Sequence, residues 1–183
     1  MQNKSYFPRI KTTPAELKAF DNLTDERKAH ACPILELTKG IKENIDGQVK
    51  RIRSYIGEEQ CFILDLTQDE TFQDKTIKDF QNEHQDGYKK WCQFLNDINF
   101  EKLIPSLTGS LQHLGDFIKQ IEFFDKYFEN GFAYRMPVSL NDNMQDLKTL
   151  LEKVLFANVK SSQKKEVFCP KRVSPELAAL QIK

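Results

Sequence analysis

Residues 60–66, QCFILDL, are a short apolar run that ends on one carboxylate, Asp65, with helical patterns on either side. A continuous apolar run of this length between helices fits a parallel strand buried on both faces. An acid at the C-terminal end of such a strand sits where α/β folds place their ligand sites.

The same unit recurs on both sides of this run. Residues 32–38, CPILELT, read as a second strand, with Glu36 placed as Asp65 is. Between the two, Ile41, Ile45, Val49, Ile52 and Ile56 are spaced by four, four, three and four, an amphipathic helix ended by Gly57. Upstream, residues 5–11, SYFPRIK, read as a first strand, although Pro8 donates nothing to a ladder. Thr13, Pro14 and Glu16 then give a helix over residues 14–23 its cap, first position and capping box.

Downstream, residues 67–75 are polar and read as a loop or an early helical turn. Ile77, Phe80, His84, Tyr88, Trp91 and Leu95 keep helical spacing, interrupted by Gly87. Residues 102–108, KLIPSLT, are a fourth strand with Gly109 as its exit. Leu111, Leu114, Ile118, Ile121 and Phe128 mark a fourth helix, stopped at Asn130-Gly131. Residues 132–138, FAYRMPV, are a fifth strand carrying Arg135, and Met144, Leu147, Leu151 and Val154 mark a fifth helix. Past Phe156 the rhythm weakens. A polar connector spans 160–165, residues 166–169 read as a short sixth strand, and Ser174-Pro175-Glu176 starts a helix toward Leu177 and Leu180.

Alternation of this kind places the chain in the α/β class, as repeated strand–helix units with parallel strands and right-handed crossovers. The doubly wound sheet and the (β/α) barrel are its two solutions. A complete eightfold barrel needs ~200 residues or more, and this chain has 183. The expectation is therefore a partial or truncated TIM-type barrel, or an open sheet, over residues 1–157. Residues 158–183 form a divergent C-terminal tail that packs on the domain or on a partner.

Lys+Arg and Asp+Glu both number 27, so the formal charge is zero, which argues against nucleic-acid binding by a broad basic surface. No apolar run approaches the ~20 residues of a membrane span, and the first ten residues lack the apolar core of a signal peptide. A cytoplasmic protein is expected. Cys32, Cys61, Cys92 and Cys169 form no CxxC pair and read as buried reduced thiols. The sequence holds no HExxH, Cys/His cluster, GxSxG, P-loop or GxGxxG, so neither a metal nor a cofactor is expected.

The chemistry-bearing residues are charges near strand ends: Arg9, Lys11, Glu36, Asp65 and Arg135. In a barrel they converge on one mouth. Two acids facing cations can bind a phosphate or a metal, or do acid–base work, with Lys11, Glu36, Asp65 and Arg135 as the catalytic candidates. They can equally be an ion-pair network that plugs the mouth. The aromatic residues give a second candidate. On the helix that follows the fourth strand, Phe117 and Phe124 share a face, while Phe123 and Tyr127 lie on another. A helix that is apolar nearly all round is central or partner-bound. Phe123, Tyr127, Phe132 and Tyr134 are the candidate partner-binding residues. The edge of the last strand is a further association site, either for another chain or for a second copy.

The motifs YFPRIKTTPAELKAFDNL, ACPILELTKG, CFILDLTQD, KLIPSLTG and FAYRMPVSL, taken in order, resemble the phage beta protein family. The residues that carry the resemblance are Tyr6, Pro8, Lys11 and Glu16; Pro33, Leu35 and Glu36; Asp65 and Leu66; Pro105, Thr108 and Gly109; and Arg135. It covers roughly residues 5–155. Most members of that family are longer and resemble complete TIM-type barrels, whereas this chain departs after Phe156. The resemblance implies a place in the Gop–beta–CII anti-phage defence module of satellite coliphages. There a beta protein would act in the host cytoplasm as an antitoxin-like or accessory partner of a Gop-type toxin. It implies no enzymatic activity. The alternative from the residues themselves is a TIM-barrel-like enzyme or sensor of a phosphorylated or nucleotide ligand.

Overall fold

The computed structural model describes residues 4–40, 45–83, 86–109, 113–135, 167–168 and 179–182. Five strands, β1 (Arg9–Lys11), β2 (Ile34–Leu37), β3 (Phe62–Leu66), β4 (Leu103–Leu107) and β5 (Phe132–Arg135), lie side by side in chain order, each parallel to the next. The chain is an α/β protein. All five residues of β3 are buried, between β2 and β4, as its nearly uninterrupted apolar run requires.

Five of the helices between the strands feed one apolar core. Leu17 and Phe20 of α1 (Pro14–Asp21) and Ile52 and Ile56 of α3 (Ile45–Ile56) enter it. So do Ile77 and Phe80 of α4 (Lys75–Asn82), Trp91 and Leu95 of α5 (Lys89–Asp97), and Phe117, Ile121 and Phe124 of α6 (Leu114–Tyr127). From the sheet, Leu35, Leu37, Phe62, Leu64, Leu66, Leu103 and Leu107 meet them. Because strand side chains alternate, Ile34, Ile63, Ile104 and Ala133 point the other way and form a separate small cluster. The core helices thus share one face of the sheet, and the candidate charges lie on the opposite face.

Several local expectations are corrected. The first strand is only Arg9–Lys11, with Tyr6 making an isolated bridge to Ala31. The capping box of α1 is half formed. The Glu16 N–H donates to the Thr13 hydroxyl at 3.4 Å, but the Glu16 carboxylate accepts from the Lys11 N–H at 2.6 Å. A short helix, α2 (Asp25–His30), follows, capped by Thr24, and it buries no residue, so no apolar stripe announced it. The single helix expected from Ile77 to Leu95 is two, because Gly87 (φ +64°) and Tyr88 (φ +57°) are both left-handed there. A 3₁₀ turn (Glu70–Phe72) lies within the polar segment before them.

The C-terminal segment differs most. β7 (Ala179–Ile182) pairs antiparallel with β5, and β6 (Val167–Phe168) pairs antiparallel with β7, giving the strand order β1-β2-β3-β4-β5-β7-β6. Leu180 is therefore in a strand and not in the expected helix, and the short sixth strand is not a further parallel unit. The edge of β5 expected to be open to a partner is occupied by the chain's own β7. The helix expected around Met144–Val154, the end of the fifth strand past Arg135, Cys169 and His84 lie outside the described residues.

Candidate functional site

Register builds the face opposite the core helices in layers. The pairs Arg9↔Ile34, Ile34↔Ile63 and Ile63↔Ile104 are directly opposite one another. Two residues on, Lys11 meets Glu36 and Glu36 meets Asp65. The β3–β4 pairing, continued in the same register, sets Ser106 beside Asp65. An apolar layer of isoleucines thus underlies a polar layer of Glu36, Asp65 and Ser106. All three are buried, with Glu36 at 2% and Asp65 at 4% exposure.

Two arginines close this layer. From β5, Arg135 Nη1 donates to Glu36 Oε1 at 2.9 Å and Nη2 lies 3.1 Å from Asp65 Oδ2. Nη2 also donates to the Leu66 carbonyl at 2.8 Å. Arg9 pairs with the same Glu36 oxygen from the other side. Asp65 Oδ1 accepts from the Ser106 hydroxyl at 2.9 Å and from the Leu66 N–H at 2.8 Å. Burial pushes the Asp65 carboxyl above the usual carboxylate range, against the opposing pull of Arg135, Ser106 and the Leu66 N–H.

Of the five charges expected at one mouth, Arg9, Glu36, Asp65 and Arg135 form a single network. Lys11 does not join it. Its ammonium lies 3.3 Å from Asp69 Oδ2 and 3.6 Å from the centroid of the Phe72 ring. The 3₁₀ turn that carries Phe72 and follows Asp69 draws it outward. Ser106 escaped the sequence reading. Its signal was present, because KLIPSLT places a hydroxyl at the strand position that holds the acid in the two strands before it. Around the network the packing is as closely specified. Gln120 of α6, fully buried, holds both backbone groups of Thr108, its Oε1 accepting at 3.1 Å and its Nε2 donating at 2.9 Å. Trp91 Nε1 donates to the Ser106 carbonyl at 3.0 Å. Among the described residues, no buried side-chain nitrogen or oxygen lacks a partner, and no cluster of metal-ligating side chains occurs.

The aromatic candidates divide between core and surface. Phe132 is buried in the helix-side core at 4% exposure, so it is not available to a partner. Tyr134 is half-buried edge-on against Phe117, 5.2 Å between centroids, and burial pushes its phenol up to about 12. Phe123 is half-buried, and Tyr127, 4.5 Å from it, is 47% exposed. No helix among the described residues is long and apolar enough to cross a membrane.

Comparison with protein-family models, with curated proteins and with solved structures returns no match for this chain.

Proposed function

We propose that this protein is a non-enzymatic binding subunit, an antitoxin-like or accessory partner of a Gop-type toxin in a phage-encoded anti-phage defence module. Its scaffold, on this reading, is a truncated (β/α)-barrel winding. Sequential parallel strands with their helices on one face support that winding. So does an arginine that crosses β4 to reach Asp65 and β3 to reach Glu36.

The observation that carries the non-enzymatic reading is the internal closure of the charged layer. Each carboxylate already holds an arginine, and Arg135 spends both ends of its fork on the protein. A phosphate entering here would have to strip Arg135 from two buried acids, leaving Asp65 with no cation and Glu36 with Arg9 alone. The residues that bind a partner are instead sought outside, at Tyr127 and Phe123 of α6. An exposed tyrosine seated on a second ring and flanked by Lys126 (4.9 Å from the Tyr127 centroid) is the kind of anchor that interfaces use.

The test is co-expression of this protein with the Gop-type protein, followed by capture of one on the other. Wild type is expected to retain the toxin. Tyr127→Asp, on an exposed position that leaves the fold intact, is expected to weaken retention by about thirtyfold, the ~2 kcal/mol of an interface hot spot. A folded wild-type protein that never retains the toxin overturns the proposal.

One observation favours a second reading, a sensor or enzyme for a phosphorylated or nucleotide ligand. Asp65 is a buried carboxyl raised by its surroundings and held by a hydroxyl and an arginine, the environment of an acid–base group. Loss of defence in Asp65→Asn with toxin retention intact supports that reading over the first.

A further inference from the structure

At the other end of this same face the layers begin with sulfur. The register Ile34↔Ile63, continued two residues toward the N-terminus, puts Cys32 opposite Cys61. The Ile63 N–H donates to the Pro33 carbonyl at 2.9 Å, so the two strands are still paired at this level. The two Sγ atoms are 3.6 Å apart. Neighbouring parallel strands lie about 4.8 Å apart, inside the Cα separations of roughly 4.4–6.8 Å that disulfides span. Closing the bond requires the sulfurs to approach by only about 1.6 Å, to the usual length near 2.0 Å.

The two thiols are not equivalent. Cys32 is 1% exposed, under Phe7 and the isoleucine layer, whereas Cys61, just before β3, is half-buried. Cations face the outer sulfur. The β3–β4 register, continued in the same way, sets Lys102 beside Cys61, and Lys4 approaches from the N-terminal segment. The hydrogen bond with Cys32 holds the Cys61 thiol below its ordinary range, helped by Lys4 and Lys102 and opposed by burial. That same hydrogen bond, with burial, holds the Cys32 thiol well above its own. An accessible sulfur inclined to the thiolate beside a protected one that stays a thiol is the arrangement of an attacking and a resolving cysteine.

We propose that Cys32 and Cys61 are a peroxide-reactive dithiol that closes reversibly to a disulfide joining the N-terminal ends of β2 and β3. The Cys61 thiolate attacks the O–O bond of hydrogen peroxide, giving Cys61 sulfenic acid and hydroxide. The Cys32 thiol then attacks the sulfenic sulfur, the S–S bond forms, and the hydroxyl leaves with the thiol proton as water. Two electrons pass from the two cysteines to one peroxide. A small-molecule dithiol reverses the reaction by exchange. Cys92 serves as an internal control. It is buried with its thiol pushed up to about 12, so it stays reduced.

The test uses the full chain, reduced and then titrated with hydrogen peroxide. Remaining thiols are blocked with an alkylating agent, and the peptides are mapped by mass spectrometry. The expected product is a Cys32–Cys61 cross-linked peptide pair, lighter by two hydrogen atoms, formed at one peroxide per chain and lost on adding dithiothreitol. In Cys32→Ser the sulfenic acid on Cys61 is expected to persist and be trapped by dimedone. In Cys61→Ser, Cys32 is expected to remain unmodified at the same dose. Over-oxidation of Cys61 in the wild type without a cross-link to Cys32 overturns the proposal. So does a cross-link from Cys61 to Cys169 or to a second chain.

Discussion

Replacing Arg135 with Met tests the charged layer most directly. The substitution keeps an unbranched apolar stem and removes only the guanidinium. That group bonds Glu36, Asp65 and the Leu66 carbonyl at once, and its side chain is 16% exposed, against 3% and 6% for the two acids. Removing one partner of a buried pair costs about 3–5 kcal/mol, because the charge left behind is uncompensated. Some compensation survives here. Glu36 keeps Arg9, and Asp65 keeps the Ser106 hydroxyl and the Leu66 N–H. The expected loss therefore sits at the low end, about 3 kcal/mol at pH 7. For a chain of this size each 1 kcal/mol moves Tm by roughly 2–4 °C, so the variant should melt about 6–12 °C lower. Protonation supplies a second, independent readout. Without Arg135, which pulls the Asp65 carboxyl down, that carboxyl takes up a proton more readily, so the loss should shrink as pH is lowered toward 4.5. Urea unfolding at the two pH values, read by tryptophan fluorescence from Trp91, is the assay. A loss under about 1 kcal/mol at pH 7, the range of exposed pairs, would refute the idea of a closed buried network. An equal loss at both pH values would refute it as well.

Asp65→Asn should change the pH dependence of stability in a fixed direction. Because the folded carboxyl is raised, Asp65 contributes stability below about pH 4 that is lost as pH rises through the folded value. The wild type should therefore lose stability relative to Asp65→Asn between pH 4 and pH 7, measured as the shift between urea midpoints, and a gain over that span would contradict the burial argument. Gly109→Ala should be among the most damaging single changes. Gly109 has φ +107°, and a Cβ there would lie 2.1 Å from the hydroxyl of the fully buried Tyr88. A loss of at least about 3 kcal/mol is expected from backbone strain and overpacking together. Adding Tyr88→Phe should not restore it, since ring carbons stand at 2.4 and 2.6 Å; full recovery of the wild-type midpoint in that double variant would be the contrary result.

The parallel sheet was legible because its strands are buried on both faces and so read as apolar runs, with capped helices between them. The positions of Glu36, Asp65 and Arg135 at one end followed from the same reading, since charges at strand ends have few places to go. What escaped detection was set by contacts between segments. Lys11 has the register of a network member, yet Asp69 and Phe72, some sixty residues on, take its ammonium. The break between α4 and α5 depends on a left-handed tyrosine beside Gly87, and nothing in tyrosine's own preferences announces that. The C-terminal strand reads locally as a helix start. It becomes a strand because an exposed β5 edge offers unpaired backbone groups that a helix would leave unmet.

One further regularity lay in plain view. Cys32-Pro33-Ile34-Leu35-Glu36-Leu37 and Cys61-Phe62-Ile63-Leu64-Asp65-Leu66 share the pattern Cys-x-Ile-Leu-acid-Leu. Their offset is 63 − 34 = 29 residues, and 29 is the register offset of β2 and β3. In a parallel pair, like residues at a constant offset stand side by side on one face, so the echo stacks sulfur on sulfur, isoleucine on isoleucine and acid on acid. Two adjacent buried acids repel unless cations bridge them, and this is the arrangement that requires Arg9 and Arg135. Two adjacent thiols carry no such penalty and stand close enough for a peroxide to join them. The same repeat therefore gives this face of the sheet one end closed by ion pairs and another where two thiols meet. It also leaves Tyr127, outside on α6, independent of both. Asp65→Asn, Cys61→Ser and Tyr127→Asp should each disturb one of these three regions and spare the other two.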